Sequence, residues 1–308
     1  MMLKSNSLIK ETIGGVHMPS SGPFRVVGYV TEHADLDKIS FEKLTHANYA
    51  FLLPNEDGTF KDLDDPLRLE KFVRVAHQSG VRALVSVGGW GWEAQFARAA
   101  ASQDYRVVFV RELLNLVRDF QLDGVDIDWE YPRAGVSSQD FLLLMRELRL
   151  ALAPEKLLTA AVIAYGEVGV GVPVESFALM DFVNLMAYDD FANPTSHSSI
   201  ECARAAFDYW LGRGLPARKA VLGVPFYSRP DGVPYARLVE TNPSAAYADF
   251  CEDEGKKVNY NGIPTMESKT RLALERGSGI MFWALEQDTS DETSLLGTIE
   301  QVVKTAIA

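Results

Sequence analysis

From Phe24 onward the chain repeats one unit: a short apolar run, a polar turn, then a stretch with helical spacing. The runs read "FRVVGYV", "HANYAFLLP", "RALVSVGGW", "GVDIDWEYP", "LTAAVIAYG", "FVNLMAYDD", "AVLGVPFYSR" and "GIMFWALEQD". Most are almost unbroken in hydrophobicity, as expected of strands buried on both faces of a parallel sheet. Helical spacing occupies 66–79, 102–121, 137–152, 199–213 and 264–276, and 292–305 follows the last run. Eight strands alternating with helices over about 285 residues predict the α/β class and a closed (β/α)8 TIM barrel. Residues 23–308 are expected to form this barrel as a single domain, and 1–22 to form a mobile tail or short cap.

The competing architecture is an open, doubly wound sheet, which would be marked by a Gly-rich nucleotide turn after an early strand. The nearest candidate, "SVGGWGW", lacks G-x-G-x-x-G spacing and places tryptophans where phosphate would approach. Residues 230–263, after the seventh run, lack the strand–helix rhythm and read as an elaborated loop at that strand's C-terminal end.

Composition narrows the partners. Of 308 residues, 47% are hydrophobic, enough for one large core, and the net charge of −12 disfavours nucleic acid and anionic membranes. No window approaches a membrane span. Residues 1–22 lack the apolar core of a signal peptide, so the chain reads as cytoplasmic unless a leader was removed or another export route serves it. Cys202 and Cys251 are too far apart to make a framework, and the five histidines show no ligand spacing, so neither a metal nor another cofactor is expected.

The fourth run carries the chemistry. Residues two apart on a strand share a side, so Asp126, Asp128 and Glu130 face one way and Val125, Ile127 and Trp129 the other. In a barrel the apolar trio faces the helices and the acids face the axis. The row climbs about 6.6 Å per pair towards the C-terminal rim, where barrel active sites lie. Crowded carboxylates cannot all ionise cheaply, so at least one apparent pKa should rise, leaving a general acid protonated near neutral pH. A strand with one solvated face would also alternate acids, but a fourth barrel strand has no solvated face. The other strand ends carry Trp90, Trp92, Tyr165, Tyr188, Asp189, Tyr227, Arg229 and Trp283, flat rings and polar groups suited to sugar.

These residues resemble those of glycoside hydrolase family 18, the chitinase family. "LDGVDIDWEYP" is similar to its D-G-x-D-x-D-W-E signature, "SVGG" (Ser86 to Gly89) to its S-x-G-G motif, and "LMAYDD" to its M-x-Y-D motif. The resemblance implies that Glu130 protonates the glycosidic oxygen, while the substrate's own 2-acetamido carbonyl attacks the sugar and an oxazolinium forms. It implies that Asp128 holds the acetamido N–H, that Asp126 shares a proton with Asp128, and that Tyr188 hydrogen-bonds the acetamido group. Asp189 would contact the same sugar and Trp283 would floor the site. Tyr29, Phe51, Trp90, Tyr131, Met186, Tyr227 and Arg229 match further substrate positions. Asp123, Ser86, Gly88 and Gly89 would support the acids.

The implied substrate is chitin or its oligosaccharides, cut by a monomer. The segment 230–263 is too short for the α+β domain of many processive members, so the groove should be shallow and cleavage internal. Three alternatives remain open: an endo-β-N-acetylglucosaminidase acting on N-glycans, a non-catalytic chitin-binding lectin, and a metal- or phosphate-using barrel enzyme. Retention of Glu130 opposes the lectin. The endings "GGW" and "AYG" of the third and fifth runs supply no metal-binding acids.

Overall fold

The computed structural model describes residues 22–190 and 196–307. The segment expected as a tail lies, apart from Gly22, outside the described residues. In chain order the elements are β1 (Arg25–Thr31), β2 (His46–Leu52), α1 (Pro66–Gln78), β3 (Arg82–Gly88), α2 (Glu93–Ala101), α3 (Gln103–Asp119), β4 (Gly124–Asp128) and α4 (Ser138–Ala151). Then come β5 (Leu157–Ile163), β6 (Phe182–Met186), α5 (Ile200–Gly212), β7 (Ala220–Pro225) and α6 (Tyr235–Thr241). A hairpin of β8 (Phe250–Asp253) and β9 (Lys256–Asn259) precedes α7 (Ile263–Arg276), β10 (Gly279–Trp283) and α8 (Leu295–Ile307).

Eight strands close the barrel in the order β1-β10-β7-β6-β5-β4-β3-β2, all parallel neighbours. The predicted TIM barrel is the fold. The alternation of faces on β4 is also as expected. Val125, Ile127 and Trp129 join the large apolar layer between sheet and helices, where Trp129 stacks on Phe96 at 5.1 Å. A second, smaller apolar cluster, including Val27, Tyr29, Phe182 and Met281, fills the barrel interior.

Local chemistry sets the helix starts. Asp65 accepts from the Arg68 amide, with Pro66 supplying a helix-ready φ at the first position of α1. Ser199 caps α5 through the Cys202 amide. The half-buried Asp288 accepts from the amides of Leu295 and Leu296 at the head of α8.

The structure departs from the sequence expectation in the connections. α2 is an added helix before α3, nine residues long and separated from it only by Ser102; the helical spacing expected over 102–121 corresponds to α3 alone and left α2 out. The segment 230–263 is not an irregular loop. It holds α6, a 3-10 turn (Pro243–Tyr247) and the β8–β9 hairpin. Reciprocal backbone hydrogen bonds between Arg229 and Asn259, 2.8 and 2.9 Å, tie the hairpin's end back to the residues leaving β7.

Candidate active site

Asp126 is fully buried and accepts from four side chains: Tyr29 Oη at 2.7 Å, Ser86 Oγ at 2.8 Å, Thr159 Oγ1 at 2.5 Å and Asn184 Nδ2 at 3.4 Å. These donors stand on β1, β3, β5 and β6, and β1 and β6 do not border β4. Only a side chain on the barrel axis can meet all four. Burial raises the Asp126 carboxyl above its ordinary value, and the four donors oppose that rise.

Asp128, one step higher, is 3% exposed, and its Oδ1 has no hydrogen-bond partner. Burial first, then the charges of Glu130 and Asp126, hold its carboxyl well above the usual range. Glu130 lies just past the end of β4. Burial and the nearby Asp189 charge push its carboxyl up to about 7, against a hydrogen bond from Tyr131. The sequence argument expected raised carboxyl pKa values from mutual repulsion. The rise is present, but burial is the larger cause at all three positions.

The supports act at both ends of the row. Asp123, at the foot of β4, accepts from the Ala83 amide at 2.8 Å, His77 Nε2 at 2.8 Å and Arg82 at 3.1 Å, locking β4 to the start of β3. At the rim, Gly88 has φ +105, and a Cβ there would sit 2.3 Å from Phe96 and 2.6 Å from the Asp128 carbonyl. A Cβ on Gly89 would lie 2.7 Å from the Phe51 ring. The two glycines let β3 close on β4 and β2 where the acids emerge.

Above the acids opens a cleft of about 850 Å³, lined by Asp128, Glu130 and Tyr188 and by every residue predicted to bind substrate: Tyr29, Phe51, Trp90, Tyr131, Met186, Asp189, Tyr227, Arg229 and Trp283. Trp283 stacks on Phe51 at 5.3 Å and 17°, with Tyr29 tilted at 5.6 Å, which makes a flat aromatic base. Trp90 is 71% exposed at the lip. Trp92 is not part of the cleft; it heads α2 and lies under the Lys61 ammonium, 4.5 Å from its ring. Among the described residues no group of three or more His, Cys, Asp or Glu side chains is placed to hold a metal ion.

The model of the Glycosyl hydrolases family 18 matches residues 25–288, the barrel with its acid row. This chain belongs to that family. A chitinase-like effector of Moniliophthora roreri is 28% identical over 65% of the chain, and the match spans 56% of that relative's length. Chitotriosidase-1 of Mus musculus is 32% identical over 79% of the chain and 67% of its own. The crystal structure of the GH18 chitinase ChiB from the chitin utilization locus of Flavobacterium johnsoniae superposes with a TM-score of 0.81, at 29% identity over 92% of this chain and 95% of that one.

One wall of this family 18 cleft is an ion-pair assembly. Arg229 donates to both oxygens of Asp189, through Nε at 2.5 Å and through a second guanidinium nitrogen. Burial alone would raise the Asp189 carboxyl, but the hydrogen bonds from Arg229 and Tyr227 outweigh it and hold the group below its ordinary value. Behind it stands His197, buried, which no motif in the sequence singled out. Tyr165, Asp190, Asp231 and Gln287 also line the cleft. Tyr165 was visible in the sequence as a strand-end aromatic, and its hydroxyl donates to Asp190 at 2.5 Å. Asp190 and Asp231 sit in loops and Gln287 ends a 3-10 turn (Leu285–Gln287), where no strand period gives a direction.

Proposed function

We propose that this chain is a chitinase that hydrolyses β-1,4-linked N-acetylglucosamine chains internally, with retention, as a monomer using the substrate's acetamido group as nucleophile. The observation that carries this reading is the contrast among the acids. Glu130 holds a carboxyl pushed to about 7 at the rim, which suits a general acid. Asp128 lies one step below Glu130, buried, with its carboxyl held well above the usual range, and it faces the acetamido group rather than the anomeric carbon. Asp189 is charged, but both its oxygens are engaged by Arg229, so it makes a poor nucleophile. Asp190 accepts from Tyr165 and Asp231 pairs with Lys256, so among the described cleft residues no carboxylate is left for the attack and the nucleophile falls to the sugar itself.

In this reading Glu130 gives its proton to the glycosidic oxygen as the C1–O bond breaks. The acetamido carbonyl oxygen bonds to C1; Asp128 passes the shared proton to Asp126, accepts a hydrogen bond from the acetamido N–H and, as carboxylate, balances the oxazolinium charge. Water then adds to C1, returning a proton to Glu130 and restoring the acetamido group as a β-anomer. The Trp283 face and Tyr188 would receive the distorted sugar. The small excursion of α6 and the β8–β9 hairpin supports an open groove and internal cleavage.

The test is digestion of partly deacetylated chitosan, with sequencing of new reducing ends and early NMR of the anomers. All new ends should be N-acetylated and appear first as β. Frequent glucosamine at those ends, or initial α-product, would defeat substrate assistance. A high-mannose glycopeptide assayed alongside chitooligomers separates the N-glycan reading. Oligomer binding without hydrolysis by the wild-type protein would establish the lectin reading. Glu130→Gln should abolish turnover and keep binding; hydrolysis within about tenfold of wild type would mean that another group is the acid.

A further inference from the structure

His197 lies on the return from β6 into α5, only 1% exposed, and no step above uses it. Its two ring nitrogens face polar groups of the cleft wall. Nδ1 lies 3.3 Å from the Asp189 backbone nitrogen, which can only donate, and 3.3 Å from Asp189 Oδ1, which can only accept. Nε2 lies 3.2 Å from the Tyr227 carbonyl oxygen, which can only accept. Oδ1 already accepts from Arg229 Nε and the amide hydrogen is directed at Nδ1, so the contacts favour a neutral ring with Nδ1 accepting and Nε2 carrying the hydrogen. Its face packs on the Tyr227 ring at 4.8 Å. Burial, the largest cause, holds the imidazole down to about 4, in keeping with that neutral form.

The backbone makes this contact consequential. Asp189 has φ +52 and His197 φ +46, a left-handed region that side-chain-bearing residues occupy only when their surroundings hold them there. The two are closed on each other, since the Asp190 amide also donates to the His197 carbonyl at 2.9 Å. The next residue fixes His197 in turn. Ser198 Oγ donates to the Ala187 carbonyl at 2.5 Å. The buried Lys269 of α7 donates to the Ser198 carbonyl at 2.9 Å, to its Oγ at 2.5 Å and to Asn261 at 2.7 Å. A strut thus runs from α7 through Ser198 and His197 to the backbone of Asp189.

We propose that His197 is the positioning residue for Asp189, holding the left-handed turn that aims its carboxylate at the sugar while Arg229 holds the carboxylate itself. The inference rests on the reading of Asp189 as a sugar-binding group beside Glu130. His197 touches no substrate atom; it acts through the Asp189 amide and the Tyr227 carbonyl. Arg229 alone cannot do this work, because a guanidinium can follow a carboxylate that has swung away.

The experiment compares His197→Ala, His197→Asn and His197→Gln, each alone and in an Asp189→Ala background, for chitooligosaccharide hydrolysis. Binding of chitotetraose is measured by calorimetry in the same variants carrying Glu130→Gln. An Asn amide oxygen can take the place of Nδ1 and accept from the Asp189 amide; a Gln amide reaches the Nε2 place and cannot. H197A and H197Q should lose about tenfold or more in kcat/KM, mainly through KM, with a parallel rise in Kd, while H197N stays within about threefold of wild type. In the D189A background the His197 changes should alter kcat/KM by less than about twofold. The inference is overturned if H197N and H197Q fall equally, if H197A binds and cleaves like wild type, or if the losses multiply in the D189A background. A wild-type chain without hydrolase activity would sink the chitinase reading while leaving the calorimetric comparison to decide this one.

Discussion

The raised carboxyl of Glu130 should cost the fold stability in a pH range that can be named in advance. Its folded pKa is about 7 against an ordinary 4.5. Between those values the native protein keeps a proton that the unfolded chain has released, so stability must fall as pH rises through the interval. Protonation on Glu130 is thus a contribution present below pH 4.5 and lost by the time pH passes 7. The gap corresponds to about 3 kcal/mol at about 1.4 kcal/mol per unit. Glu130→Gln keeps the shape and cannot ionise, so the variant should match wild type near pH 4.5 and exceed it by up to about 3 kcal/mol at pH 8. Urea denaturation of both proteins at half-unit steps from pH 4.5 to 8.5 measures this directly. The same group should give wild-type kcat/KM an alkaline limb near pH 7, because only the protonated acid can serve the leaving oxygen. A stability difference that stays flat across the range, or a limb near the ordinary glutamate value, would refute the assignment of both the pKa and the role.

Three further outcomes follow from contacts described above. Gly88→Ala should destabilise by about 3 kcal/mol or more in urea unfolding, since its Cβ would meet a ring and a backbone carbonyl at an unfavourable φ; wild-type stability would show that the β3 rim can move aside. Tyr29→Phe removes one of four donors to the buried Asp126 and should cost about 1.5 kcal/mol in the same assay, and an unchanged midpoint would mean that the other three donors suffice. Arg229→Lys keeps the charge but cannot grip both oxygens of Asp189, so KM for chitooligomers should rise about tenfold with a smaller change in kcat; an equal fall in kcat alone would place Arg229 in the chemical step instead.

The acid row was legible because a strand's period of two is a rule about direction, and directions at the end of a barrel strand converge on one cleft. That is why strand-end residues as distant in sequence as Trp90, Asp189 and Trp283 read as one set from the sequence, whereas Tyr29 and Phe51 joined them only through the family resemblance. The same logic has no purchase on loops. His197 carries no period and no motif, and its importance comes from two backbone groups whose identities the side-chain sequence does not encode. α2 lay outside the expected helix over 102–121 because nine residues with three buried apolar positions give too short a periodic pattern to stand out. The cause of the raised carboxyl pKa was misweighted for a related reason: spacing reveals that charges are close, whereas the depth at which they are buried depends on what the other seven barrel strands place around them. Asp126, ringed by Tyr29, Ser86, Thr159 and Asn184, shows how much of that surrounding is assembled from afar.

Arg229 joins two parts of the molecule that would otherwise vary independently. Its side chain grips Asp189 inside the cleft, and its backbone exchanges hydrogen bonds with Asn259 at the end of the β8–β9 hairpin. The hairpin is therefore a natural graft point with a built-in gauge. A longer insertion between Arg229 and Asn259 can raise the wall beside the groove without disturbing the acids, provided the two ends still pair; one that breaks the pairing is felt at once in the cleft. Lineages or designs that remodel this wall should change the length of what lies between the two residues far more freely than the geometry with which they meet.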